Sequence, residues 1–345
     1  MEGHGFGMPR LHHKTHENLK FGFSWVFFYK KIYLCMANLT VYSIYAIMFY
    51  YKCMEEIYMS VKSDINEMKK IYFNNRLIPF IGAGMSRPFN IPNWKELLIT
   101  LCEKLIDEED INKMIRKDID LGKYWNAVDD IMFYSIKDEE YIQNQVVDII
   151  NETMVLDRSK DSNYVDLAKL EVPYYLTTNY DNLLGMNIES NYQSTILSDS
   201  NSGIQKLASD NDGKRIFHLH GDIANSKSIV LSKKKYNEVY SSDKYKTFFN
   251  FFRSGYTFLF IGFSFSDEYI INLMDTYKEY FNDYHYILLA NPTREIQLDY
   301  MNKYKLIVIP YSVEDITDNN QHITAIRNVL QELYKDDEDV DKENF

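Results

Sequence analysis

The sequence predicts an α/β protein built on a doubly wound, mostly parallel sheet. Short apolar runs recur along the chain: LIPFI (77–81), PYYLTT (173–178), RIFHLH (215–220), TFLFIGFS (257–264), HYILLA (285–290) and KLIVIP (305–310). Most are apolar throughout rather than alternating, as strands covered on both faces are. Helical patterns such as WKELLITLCEKLI (94–106) and DEYIINLMDTYKEYF (267–281) lie between several of them, and strand–helix alternation argues a parallel sheet. Several runs end in glycine, asparagine or histidine, at the carboxyl edge where open sheets place ligands.

In chain order, residues 1–53 are unlike the rest and are expected to form an atypical leader. Four of the eight histidines (His4, His12, His13, His16) fall in its Gly-rich opening. HHKTH has no carboxylate or cysteine partner for a metal, so a disordered leader is expected there. A segment without charge, 32–51, has the length of a bilayer span but is diluted by Asn38, Thr40, Ser43 and five tyrosines. Three readings fit it: a membrane anchor, a buried helix, or upstream sequence joined to a gene that starts at an internal methionine. From Met54 the chain reads as an amphipathic lead-in helix, 54–75. One domain is expected over 76–335, with Asn93 and Glu96 in capping-box positions before the first long helix and a polar helical insert at about 107–160. An acidic, frayed tail, 336–345, closes the sequence.

Composition excludes some functions. Apolar residues make up 46 % of 345, enough for a substantial core, and the net charge of -12 argues against nucleic acid or anionic membrane as a partner. Tyr (29) and Phe (21) are frequent, which a Lys/Ile/Asn/Tyr-rich genome explains as well as any function. Cys35, Cys53 and Cys102 have no paired spacing, so neither a disulfide framework nor a four-cysteine zinc site can be built, and a reducing, cytoplasmic setting is expected.

Four stretches carry chemistry. In FIGAGMS, a turn through Gly82, Ala83 and Gly84 lets backbone amides face a phosphate, although the third glycine of a redox-cofactor fingerprint is replaced by Arg87. In YYLTTNYDNLL, Asn179 offers a donor and an acceptor for ribose or water, and Asp181 lies two residues on; either can also cap the next helix. In RIFHLHGD, His220 is placed as a general base, followed by Gly221; His218, two residues back, is expected on the same face, deeper in the sheet. In FLFIGFSFSDEYI, Gly262 and Ser264 could admit a ribose, with Asp267 near the helix start, or simply form a capped strand–helix turn.

Taken in this order and spacing, GAGMS, TTNYD, HLHGD and IGFSFSD resemble the sirtuin, or silent information regulator two, family over about residues 77 to 270. The resemblance implies a Rossmann-like sheet with NAD at its switch point. Position by position it implies Gly82, Ala83, Gly84 and Ser86 in the phosphate-binding turn, Asn179 and Asp181 on the nicotinamide side, His220 as the catalytic histidine, and Gly262 with Ser264 at the adenosine ribose. Two departures select a branch. The deacylase loop Gly-Ile-Pro-Asp-Phe-Arg is here Asn90-Ile91-Pro92-Asn93-Trp94-Lys95, and with no cysteine after Cys102 there is no zinc ribbon. GDIANSKSIVLSKKKYNEVY after His220 resembles instead the zinc-free bacterial branch similar to NAD-degrading effectors of anti-phage defence, with the helical insert covering the pocket.

The chemistry agrees with hydrolysis. Nicotinamide leaves NAD as a neutral group from a cationic one, so cleavage needs a stabilised oxocarbenium-like carbon and a positioned water rather than a general acid. The expectation is an NAD glycohydrolase with NAD as substrate and no metal, His220 and Asn179 carrying the reaction. By elimination, since little length remains for a sensor, it is expected to act as a homo-oligomer, with a separately encoded ATPase or sensor, or both. The alternatives are an NAD-dependent protein deacylase and a non-catalytic module that binds NAD or ADP-ribose.

Overall fold

The computed structural model describes residues 59–157, 159–188, 191–199, 213–253, 255–263, 268–276 and 283–335. The leader, segment 32–51, the start of the lead-in helix, Ser264, Asp267 and the acidic tail lie outside the described residues.

Among the described residues seven strands form one sheet in which every pairing is parallel: β1 (Leu77–Ile81), β2 (Tyr174–Thr177), β3 (Gln193–Ile196), β4 (Arg215–His218), β5 (Thr257–Ile261), β6 (His285–Ala290) and β7 (Leu306–Tyr311). Their order is β3-β4-β2-β1-β5-β6-β7. From β1 the chain builds outward through β2 to β3 and β4, then crosses to β5 on the other side, so the sheet is doubly wound about β1. The apolar runs match the strands in position, but the ladder releases the ends of three of them early. Leu219 and His220, Gly262 and Phe263, and Thr178 all lie in the turns beyond. β3 has no counterpart among the expected strands. It is a short, mostly polar edge strand whose first two residues, Gln193 and Ser194, are exposed, so no apolar pattern marks it.

Each central strand is buried on both faces because its residues divide between two cores. Ile78, Phe80, Leu176, Phe217, Phe258, Phe260, Ile287 and Leu289 enter one core. Leu77, Ile81, Tyr175, Ile216, Leu259, Ile261, Tyr286 and Leu288 enter the other. The first core is completed by helices α8 (Lys233–Tyr240) and α9 (Asp243–Phe252), which bring Tyr236, Tyr240, Phe248, Phe249 and Phe252 against the sheet. Much of the unusual aromatic content thus forms one wall of the core, with rings in edge contact such as Phe217 and Phe248 at 4.9 Å. The second core is closed by α1 (59–73) and α12 (Asn319–Tyr334) through Ile65, Met68, Ile326, Leu330 and Leu333.

A third core belongs to four helices: α2 (Trp94–Leu105), α3 (Glu109–Asp120), α4 (Tyr124–Ser135) and α5 (Glu139–Thr153). The start of α2 follows its capping box: Asn93 accepts from the Glu96 amide at 2.9 Å, and Glu96 returns a bond from the Asn93 amide at 3.0 Å. Among the described residues no helix is long and apolar enough to cross a membrane.

The turns after β1 and β5 cross backbone on backbone. Gly82 donates to Ile261 at 2.8 Å and Gly84 to the Gly262 carbonyl at 2.9 Å. A Cβ on Gly82 would lie 2.7 Å from that carbonyl, and one on Gly84 2.9 Å away. Gly262 itself sits at φ +79, where a Cβ would also strike Met85 at 2.7 Å. Gly262→Ala is therefore expected to lower stability by about 2 kcal/mol or more in urea denaturation, combining left-handed backbone strain with the contact. Asn93→Ala is expected to cost about 1 kcal/mol in the same measurement, and Asn93→Asp much less, because a carboxylate also caps.

Candidate functional site

Strands β4, β2, β1 and β5 are consecutive neighbours, so their carboxyl ends set the four chemical stretches side by side. Ile81 is level with Thr177 and Ile261, and Thr177 with His218. Gly82, Thr178, Leu219 and Gly262 therefore leave the sheet at one height, around the point where the strand order reverses.

At the β1–β2 end a buried polar cluster forms. Asn179 Nδ2 reaches the Gly82 carbonyl at 3.2 Å, Ser86 Oγ at 3.1 Å and the Tyr164 hydroxyl at 3.4 Å. Ser86 Oγ donates to Asp181 Oδ2 at 2.7 Å and lies 2.8 Å from the Tyr164 hydroxyl. The other Asp181 oxygen accepts from the Leu183 amide at 3.0 Å, at the start of α7 (Leu183–Asn187), so this carboxylate both caps a helix and serves the cluster. Burial drives the Asp181 pKa up to about 6, against the pull of its Ser86 and Leu183 hydrogen bonds, and the Asp222 charge adds to the rise. All of these side chains are buried, yet among the described residues Asn179 Oδ1 has no hydrogen-bond partner. A primary amide whose donors are spent and whose acceptor is idle is oriented to take a hydrogen bond from a guest.

His220 is held from the other side. Its Nε2 lies 2.6 Å from the Tyr240 hydroxyl, and Tyr240 stacks on Tyr236 with ring centroids 4.2 Å apart. Burial alone lowers the His220 pKa to about 3, so the ring is neutral and only weakly basic at neutral pH. The expected sharing of a face with His218 does not occur. β4 ends at His218, and the chain then turns through Gly221 at φ +98, where a Cβ would lie 2.4 Å from the Ser228 carbonyl. His220 consequently packs among α8 tyrosines, while His218 Nδ1 faces Asp222 Oδ2 at 3.6 Å. Burial lowers the His218 pKa, opposed by Asp222 and the Asn179 backbone.

The segment expected to offer amides to a phosphate is a 3-10 turn, Ala83–Phe89. The amides of Gly82, Gly84 and Met85 already serve the protein backbone, so its glycines are explained first by the crossing with Gly262. Asn90 occupies left-handed backbone at φ 61, a conformation asparagine tolerates. Arg87, in the place of a third glycine, forms a two-pronged ion pair with Glu96, which ties the turn to the first turn of α2. Asn93 caps α2, and Trp94 packs edge-on against Tyr180 at 5.8 Å, between Asn179 and Asp181 in sequence. The residues that depart from the deacylase loop thus connect the helical layer to the asparagine strand end. α5 reaches the segment after His220: Gln143 donates to the Ile229 carbonyl at 2.7 Å, and Ser232 to Glu139 at 2.6 Å. Among the described residues no group of three or more His, Cys, Asp or Glu is arranged to hold a metal ion.

Three participants escape sequence reading. Tyr164 opens α6 (Tyr164–Ala168), inside a polar span where one tyrosine among 29 carries no signal. Tyr240 lies on α8, 20 residues past the histidine it touches. Asp222 sits in the quoted HLHGD, and its i to i+4 spacing from His218 was the available clue.

Comparison with known proteins fits this geometry. A family model described as SIR2-like domain matches residues 173–309, which spans β2 through most of β7 and the Asn179, His220 and Gly262 turns. The chain is 26% identical over 265 residues to the NAD(+) hydrolase ThsA of Acinetobacter baumannii (strain 532279), covering 72% of this chain and 49% of that protein. It is 28% identical over 228 residues to the NAD(+) hydrolase ThsA of Cytobacillus dafuensis (64% and 42%) and 25% identical over 281 residues to that of Bacillus cereus (strain MSX-D12) (77% and 55%). The chain spans about half the length of the curated relatives it matches. Strand order, the gathering of the motifs and the matched segment agree in likening residues 173–309 to a SIR2-like domain.

Proposed function

We propose that this protein hydrolyses NAD to nicotinamide and ADP-ribose and serves anti-phage defence by depleting the cell of NAD. One observation carries the reading: a buried, fixed Asn179 amide presents an idle acceptor at the switch point of a parallel sheet whose edge also carries a neutral buried histidine. The similarity to proteins named NAD(+) hydrolase supports the same substrate.

In this reading Asn179 Oδ1 accepts from a ribose hydroxyl or the attacking water. The C1′–N bond breaks with its electron pair leaving on nicotinamide, water oxygen bonds to C1′, and the proton released passes to His220. Gly82, Ala83, Gly84 and Ser86 line the phosphate side and Gly262 with Ser264 the adenosine ribose. Asp181 holds Ser86 in place, and no metal enters. A deacylase is disfavoured because the segment after His220 is packed on α5, where a zinc ribbon would otherwise follow. The proposal extends to a cytoplasmic homo-oligomer answering to a separately encoded ATPase or sensor, and it assigns no role to nucleic acid. A membrane role would rest on segment 32–51 alone.

Incubation with NAD alone is expected to release nicotinamide, and His220→Ala or Asn179→Ala to reduce the rate by about 10²–10⁴-fold. Release only with an acylated peptide would favour the deacylase, and tight binding without release a non-catalytic module. A silent protein is to be retested with its native neighbours co-expressed before the reading is abandoned.

The Asp181 carboxyl, with its pKa at about 6, is mostly ionised only above that pH, where its hydrogen bond from Ser86 is charge-assisted and strongest. Activity is therefore expected to rise as pH increases through 6, and Asp181→Asn to lose both rate and limb. The folded pKa lies above the usual 3.8, so this group's contribution to stability is full below about pH 4 and is lost as pH rises through 6. The stability of Asp181→Asn relative to wild type is accordingly expected to increase from pH 4 to pH 7, measured by urea midpoints.

A further inference from the structure

We propose that Tyr164 is a positioning residue that fixes the orientation of the Asn179 amide, and that Arg327 on α12 sets Tyr164 by clamping α6. The inference rests on the hydrolase reading for the role of Asn179 and deepens it.

Proton counting identifies the part Tyr164 plays. Ser86 has one hydroxyl proton and gives it to Asp181 Oδ2. The contact between Ser86 and Tyr164 must then run from the phenol to the serine oxygen, so Tyr164 spends its own proton there. Asn179 consequently meets three acceptors with no proton to offer: the Gly82 carbonyl, the Ser86 oxygen and the Tyr164 oxygen. Only the NH₂ end of the amide can face them. A flipped amide would set its carbonyl against three lone-pair donors in a buried setting, where unmatched polar contacts cost most. The idle Oδ1 is thereby forced toward the substrate side.

Tyr164 can do this only if α6 stays in place. Five residues cannot hold a helix unaided, and its leading Asn163 provides no side-chain cap. Long-range contacts hold it instead. Arg327 Nε bonds both oxygens of buried Asp166, at 3.0 and 2.9 Å, while its other nitrogens bond Asp161. Asn163 Nδ2 donates to the Ile323 carbonyl of α12 at 2.8 Å. The Tyr175 hydroxyl from β2 bonds the Leu167 carbonyl at 2.5 Å. Arg327 and Ile323 lie beyond residue 309, the end of the SIR2-like match, so a helix outside the matched segment sets the geometry of the asparagine within it.

The test compares wild type, Tyr164→Phe, Arg327→Met and the double variant in nicotinamide release from NAD, with melting temperature recorded for each. Tyr164→Phe keeps the ring and is expected to lower kcat about tenfold with KM within about twofold. It is also expected to move the acid limb to higher pH, since the phenol supports the Asp181 carboxylate through Ser86. Arg327→Met is expected to lower kcat, and the double variant to lose less than the product of the two single losses, because Arg327 acts through Tyr164. An unchanged kcat and limb in Tyr164→Phe, or multiplicative losses in the double variant, overturns the proposal. A second readout does not need turnover: the side-chain amide protons of Asn179 in ¹⁵N-labelled protein, identified by their disappearance in Asn179→Asp. In Tyr164→Phe they are expected to shift and exchange faster with water; unchanged exchange also overturns the proposal. If wild type releases no nicotinamide even with its native neighbours co-expressed, the hydrolase reading fails while this readout still decides the role of Tyr164. Should Tyr164→Phe not fold, Arg327→Met carries the same comparison.

Discussion

At the carboxyl edge of the sheet, two turns approach more closely than any side chain permits. The backbone of Gly82 and Gly84 lies against that of Gly262, with the Gly84 amide bonded to the Gly262 carbonyl at 2.9 Å. This contact ends β1 and β5 together and starts the 3-10 turn at a fixed height. Ser86 is thereby placed within reach of Asn179 and Asp181 from the neighbouring strand end. Ser86, Asn179, Asp181 and Tyr164 are all referred to that crossing, and a side chain at any of its three glycines would separate the turns.

Desolvation then sets the electrostatics. The same burial that raises Asp181 to about 6 lowers His220 to about 3, because a low-dielectric setting disfavours charge of either sign. The outcome is a neutral histidine beyond the end of β4 and a carboxyl beyond the end of β2 that titrates near working pH. The polar cluster around Asp181 is satisfied internally at most points, which fixes its geometry. Its idle acceptor on Asn179 is where a guest would complete it.

The helical layer and the terminal helix supply what the sheet cannot. α2 and α5 tie the 3-10 turn and the segment after His220 into one layer, through Arg87 with Glu96 and Gln143 with Ile229. On the opposite face, Arg327 and Ile323 hold α6, whose tyrosine closes the cluster. A site whose residues lie on four strand ends thus depends on helices distant in sequence, since strand ends fix height and direction but leave side-chain amides free to rotate.

Much of the fold is legible in the sequence. Apolar runs too continuous for a one-sided sheet marked β1, β2, β4, β5, β6 and β7, because strands buried on both faces carry no alternation. Capping chemistry marked the start of α2 at Asn93, a purely local hydrogen-bond pattern. Glycine, asparagine and histidine at run ends marked the crevice. The polar edge strand β3 left no trace, because among the described residues it pairs with β4 alone and its first two residues, Gln193 and Ser194, are exposed. Which face His220 takes was not legible either: the ladder stops at His218 and Gly221 redirects the chain, so period-two counting fails two residues too soon. Tyr164, Tyr240 and Arg327 were beyond local reading altogether. Their partners lie 15 to 166 residues away, and contacts at such separations are chosen by the packing of the whole chain rather than by any pattern within it.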